Sequence, residues 1–134
     1  KVDGLNFSFS GLKTQILYFV QKNVALNPNF IEENKADICA SIQYTIINIL
    51  MDKLKLAVAE TGINQIAIGG GVSANSGIRT TLKEAEQKYG WKTYIPKFEY
   101  TTDNAAMIGI VGYYNFLEEN FSENDVVTKA RIEF

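Results

Sequence analysis

The stretch "QIAIGGGVSANSGIRTTLKEAEQKYGWKTYIP", residues 65–96, decides how this chain folds. It opens with a short apolar run, Gln65 to Gly69, which is too brief for a helix and ends in glycines, the pattern of a buried strand. The period then changes. Ile78, Leu82, Ala85 and Tyr89 recur at helical spacing over residues 76–89, and Thr93 to Ile95 form a second strand candidate stopped by Pro96. Strand, glycine turn, helix and strand in this order predict a parallel unit with the helix as its crossover, so the fold class is α/β.

Upstream of this unit the chain reads as helical. Leu12, Ile16, Leu17, Phe19 and Val20 have helical spacing, with Ser10 as the expected N-cap, after an alternating lead-in at Phe7 to Ser10. Asn27, Pro28 and Asn29 interrupt the pattern, so residues 23–33 read as a connection. From Asn34 to Glu60 the residues Ile38, Ile42, Ile46, Ile49, Leu50, Leu54 and Ala57 make an apolar stripe, and Gly62 supplies the stop. Downstream, a last helix is expected from about Asp103 to Glu118, with Met107, Ile108, Val111 and Tyr114 turned inward. Residues 119–134 read as a polar turn and a terminal strand. Two or three strands are few for a parallel sheet, which suggests that further strands lie in sequence outside these residues.

Composition narrows the chemistry. With 134 residues, 46% of them hydrophobic, the chain is the size of one ordinary domain. Thirteen basic against fifteen acidic residues give a net charge of −2, so no general polyanion-binding surface is announced. Histidine is absent, which rules out a self-contained Ser/His/Asp triad or a histidine-bound zinc site within these residues. Cys39 is the only cysteine; no internal disulfide can form, and a reducing cytoplasm is the expected compartment. No apolar run reaches the length of a membrane span.

Two stretches are candidates for chemistry. The glycine turn in "IAIGGGVSANSGIR" would let a phosphate or ribose approach the backbone, with helix-end amides aimed at it. A tight turn that needs only glycine's conformations explains the same residues. Gly69, Gly71 and Ala74 fit G-x-G-x-x-A, but "TYIP" ends in proline where a dinucleotide fold wants an acid, and no Gly-Lys-Ser/Thr follows. In "TTDNAAMIG", residues 101–109, Asp103 stands at the start of an apolar helix among small residues. It reads either as a helix cap or as a ligand-binding acid.

Taken together and in order, "FSFSGLKT" at 7–14, "DICASIQ" at 37–43, "GGVSANSGIR" at 70–79 and "TDNAAM" at 102–107 resemble the C-terminal part of the TsaD family. These are the tRNA N6-adenosine threonylcarbamoyltransferases, which carried an older label of O-sialoglycoprotein endopeptidase or glycoprotease. The resemblance implies an actin-like, Hsp70-like ATPase fold of two lobes, with this chain as part of the second: a helical insertion over about 10–62, a strand-helix-strand-helix segment over about 63–120, and a tail over 121–134. It implies transfer of threonylcarbamoyl from threonylcarbamoyl-adenylate to N6 of the adenosine beside the anticodon, together with TsaB and TsaE. Asn75 would then contact the nucleotide or adenylate, with Gly70 and Gly71 giving backbone access. Asp103 would bind a divalent metal, iron by expectation with zinc or magnesium as alternatives, alongside two histidines from outside these residues. Lys13 would meet phosphate or tRNA, or else be a solvated helix lysine.

Where the family often has cysteine this chain has Thr101, so a thiol role there is excluded, and Ile78 replaces a frequent leucine. The chain alone is expected to be inactive and to self-associate through an uncovered sheet edge. A protease following the older label, and a non-catalytic interaction module, are the competing readings; no nucleophile–base pair is present for the first.

Overall fold

The computed structural model describes residues 3–123, 125 and 127. In chain order it contains α1 (Leu12–Leu26), α2 (Phe30–Thr61), β1 (Gln65–Ala67), α3 (Ser76–Tyr89), β2 (Lys92–Tyr94) and α4 (Ala105–Leu117), with single 3-10 turns at Gly71–Ala74 and Phe98–Tyr100. The expected order of helices and strands is therefore observed. The expected terminal strand falls largely outside the described residues.

Local chemistry sets most of the boundaries. The link between α1 and α2 is far shorter than residues 23–33. Asn29 N–H donates to Asn27 Oδ1 at 3.0 Å, and Asn27 Nδ2 donates to Glu33 at 2.8 Å, so a single asparagine turn launches α2 at Phe30. Gly62, at φ 70°, ends α2 in the left-handed conformation that glycine tolerates. Ser10 does not cap α1; Gly11 occupies that position and no side chain caps it.

β1 and β2 pair in parallel with Gln65, Ile66 and Ala67 opposite Lys92, Thr93 and Tyr94. Ile66 and Thr93 are buried, whereas their neighbours on both strands are exposed, so one face of this two-stranded sheet is covered. The cover is α3, with the middle of α2 beyond it. Ile78, Leu82 and Ala85 on one face of α3 join Met51, Ile66 and Trp91 in a small core, flanked by Ile47, Leu50, Leu54 and Val58 of α2. Met51 and Trp91 do not belong to the stripes read from periodicity. They are buried because the packing of α2, α3 and the sheet gathers them into one cluster with Ile66, Ile78, Leu82 and Ala85.

Helix α3 approaches α2 closely at Gly77. A Cβ there would lie 2.8 Å from Ile47 Cδ1 and 2.7 Å from Gln43 Nε2. The absent side chain is what lets the start of α3 sit against α2.

Helix α4 departs from expectation. It begins at Ala105, and Met107, Ile108, Val111 and Tyr114 are 47%, 76%, 58% and 58% exposed, not inward. Its apolar residues mark a helix made to be covered, and nothing among the described residues covers it.

Candidate functional site

Because β1 and β2 are parallel, both strands deliver their following segments to the same end of the sheet. The segment after β1 is the glycine turn, and the segment after β2 runs through Pro96 to Asp103. Two of the sequence motifs thus leave neighbouring strands side by side.

The glycine turn is rigidly built. Gly70 has φ 72° and ψ 179°, a conformation essentially reserved for glycine. Its carbonyl accepts from Ser73 N–H at 3.0 Å and from Ser73 Oγ at 2.7 Å, which closes the short 3-10 turn over a 2% exposed Ser73. A Cβ added at Gly69, Gly70 or Gly71 would meet nothing within 4 Å. The turn is therefore open towards solvent, and these glycines are not imposed by packing. Behind it lies an apolar cavity of about 190 Å³ lined by residues such as Met51, Ile68 and Val72, which backs the turn and offers few polar groups.

Asn75 closes the turn. Its Oδ1 accepts from Ile78 N–H at 3.1 Å, so it is the N-cap of α3. Its Nδ2 has no hydrogen-bond partner among the described residues, leaving two donors for a ligand.

Arg79, unassigned in the sequence, joins the two segments. Its guanidinium donates to the Ser73 carbonyl at 2.8 Å and to the Pro96 carbonyl at 2.6 Å. A planar fork can hold two carbonyls at once in a way that a lysine cannot. The signal for it was an arginine in the first turn of a helix that follows a glycine turn, which by itself does not name carbonyls from two loops.

Beyond Pro96, the Thr101 hydroxyl donates to the Phe98 carbonyl at 2.8 Å and is 3% exposed, so this residue locks the 3-10 turn. Asn104 caps α4: its Oδ1 accepts from Met107 N–H at 3.2 Å, and its Nδ2 donates to the Thr102 carbonyl at 2.8 Å. Asp103 is thus not the cap. It is exposed, and no hydrogen bond or ion pair holds its carboxylate among the described residues.

The structure brings Gly70, Gly71 and Asn75 into one turn and places Asp103 on the adjacent segment, with Arg79 between the two backbones. Lys13 lies apart, exposed on α1, a helix that packs on α2. Among the described residues no group of three or more His, Cys, Asp or Glu side chains comes together. Tight metal sites need three or four ligands, so Asp103 makes no such site with the other described residues.

A glycine-lined turn and an acid-bearing segment stand side by side at the carboxyl end of a parallel sheet, the end at which open α/β sheets as a class bind their ligands. The family described as TsaD: tRNA N6-adenosine threonylcarbamoyltransferase matches residues 1–110, and the chain belongs to that family. Relatives of that name come from Christiangramia forsetii, 66% identical over the whole chain, Cytophaga hutchinsonii, 52% identical over 96% of it, and Porphyromonas gingivalis, 52% identical over 98%. The chain spans 39%, 38% and 38% of their respective lengths.

Proposed function

We propose that this chain forms one wall of the active cleft of a tRNA-modifying transferase, in the second lobe of an actin-like fold. Threonylcarbamoyl-adenylate is the donor and N6 of the adenosine beside the anticodon is the acceptor. The amine attacks the carbamoyl carbon, the new C–N bond forms, the bond to the adenylate phosphate breaks, and AMP leaves as the amine loses a proton. Family membership supports this reading, and so does the open glycine turn that Arg79 fastens to the Asp103 segment. The latter observation carries it, because a pre-set cleft wall is what positioning of an adenylate requires.

In this reading Gly70 and Gly71 admit the adenylate to the backbone, and the free Nδ2 of Asn75 donates to it. Asp103 supplies one carboxylate to a divalent metal, iron in the first instance, whose other ligands lie outside these residues. The bound metal would act as a Lewis acid toward the donor. TsaB and TsaE are the expected partners and the cytoplasm the expected compartment; no described helix is long and apolar enough to cross a membrane. No observation favours the protease reading.

The test is tRNA modification with threonylcarbamoyl-adenylate, TsaB and TsaE, read by mass spectrometry of digested nucleosides. The full-length protein carrying these residues should form threonylcarbamoyladenosine, and the 134-residue chain should not. Modification of a different nucleoside, or none by the full-length protein, would overturn the proposal.

A further inference from the structure

The last bond of the strand ladder runs from Ile68 N–H to the Tyr94 carbonyl at 3.1 Å. Past it, the bond from Arg79 to the Pro96 carbonyl is the one hydrogen bond that joins residues 69–79 to residues 96–104 among the described residues.

Arg79 stands where its charge is disfavoured. It lies in the first turn of α3, the end at which a helix presents positive partial charge, and that turn holds no acid. The side chain is half-buried, with Nη1 bonded to the Ser73 carbonyl and Nη2 to the Pro96 carbonyl. What stabilises a cation at this place is the pair of loops that it joins.

The bonds on either side of it continue inward to both loops. Ser73 N–H and hydroxyl both donate to the Gly70 carbonyl, so Ser73 moves with the glycine turn. On the other side Tyr100 N–H donates to the Lys97 carbonyl at 3.0 Å, and Thr101 N–H donates to the Phe98 carbonyl at 3.2 Å. Residues 97–101 therefore move as one turn with Pro96, two residues short of Asp103. Asn75 caps the same helix one turn before Arg79, and the buried Ile78, Leu82 and Ala85 anchor that helix to the core.

We propose that Arg79 is a positioning residue that couples the two loops: a nucleoside monophosphate group held at the glycine turn sets the place of the Pro96–Asp103 segment through the shared guanidinium. This rests on the proposed binding of the adenylate at that turn. It goes further by assigning a cation beside the turn to the protein backbone and not to the phosphate. Placement of this kind governs rate, since a misplacement of about 1 Å at a reacting centre can cost about a hundredfold.

Amide exchange on the full-length protein, resolved to single residues by fragmentation mass spectrometry, tests the coupling with AMP as the probe. Saturating AMP should slow exchange at Tyr100 and Thr101 in the parent by about fivefold or more, the lower end of coupling between two sites. In Arg79→Lys that slowing should fall below about twofold, while AMP affinity by titration calorimetry stays within about threefold. The transfer rate of this variant at saturating donor should fall by about tenfold or more with KM within about threefold, the split expected when placement and not binding is lost. Arg79→Gln, which also lacks the fork, should show the same split. No slowing in the parent, or slowing that survives in Arg79→Lys, would overturn the coupling. An AMP affinity that falls by about tenfold or more in Arg79→Lys would overturn it too, by making Arg79 a ligand of the phosphate. Asn75→Ala judges the reading of the turn separately: AMP binding that this substitution leaves unchanged would place the nucleotide elsewhere and remove both.

Discussion

The Arg79 guanidinium donates to the Pro96 carbonyl at 2.6 Å across seventeen residues of sequence, and with its other arm holds Ser73 in the glycine turn. One side chain thereby fixes the spacing of two loops that leave adjacent strands. Its charge is met by two carbonyl dipoles, with no carboxylate in ion-pair contact among the described residues.

Replacing Arg79 with alanine should therefore loosen both loops. Stability should fall by about 2 kcal/mol, since bonds from a charged donor are worth more than neutral ones. Arg79→Lys should recover less than half of that loss, because an ammonium does not reproduce the fork. Urea unfolding gives the difference as a lower midpoint at an unchanged slope. An Arg79→Lys midpoint equal to that of the parent chain would refute the clamp.

Gly70 and Gly71 separate conformation from access. Gly70 needs its φ of 72°, so Gly70→Ala should destabilise the chain by about 1–3 kcal/mol even though the space around it is open. Gly71 lacks a positive φ and is also open, so Gly71→Ala should leave the melting temperature almost unchanged. If the adenylate approaches this turn, Gly71→Ala in the full-length protein should raise KM for it. Equal melts for the two variants would contradict the backbone assignment.

Asn104, and not Asp103, caps α4, which separates capping from the metal binding proposed for Asp103. Asn104→Ala removes the cap of α4 and should cost about 1 kcal/mol in a thermal melt. Asp103→Ala should change stability by less than about 0.5 kcal/mol, as expected of an exposed residue with no partner among the described residues. In the full-length protein it should lower metal content and transfer rate together, as measured by elemental analysis and nucleoside assay. A reversed order of melts would return the cap to Asp103.

Glu86 makes the fold sensitive to acid. Hydrogen bonds from Thr93, then Lys83, pull its pKa from 4.5 down to about 2. A carboxylate more acidic in the folded than in the unfolded chain stabilises the fold fully above about pH 4.5, and this contribution is lost as pH falls towards 2. Melting temperatures of the parent chain should drop more steeply through that window than those of Glu86→Gln. Parallel pH profiles would show that the pairing is absent in solution.

How much was legible in the sequence depended on how local each signal was. Helix α3 is legible to its terminal residues because its apolar spacing is complete within the helix, and the structure adds the local caps Asn75 and Gly90 at its two ends. The strand order and parallel pairing were readable for a related reason: a helix between two apolar runs allows almost one geometry. The sequence pattern places the start of α2 too late, because Asn27 and Asn29 read as loop residues, whereas the Asn27 side chain builds a single turn with the Asn29 N–H and Glu33. The inward face assigned to α4 failed more instructively. Periodicity reports that a helix has an apolar face, but only packing decides whether something lies against it.

The sequence by itself determined the elements, the glycine turn and the family, since each rests on residues adjacent in the chain or on motifs in fixed order. Tertiary structure alone decided that Arg79 ties Ser73 to Pro96, that Asn104 and not Asp103 caps α4, and that Glu86 bonds the outward N–H of Thr93 on β2. The physical reason is the same in each case. A hydrogen bond is chosen by which donors and acceptors the folded backbone leaves facing one another, and that choice is made only once β1, α3 and β2 have come together.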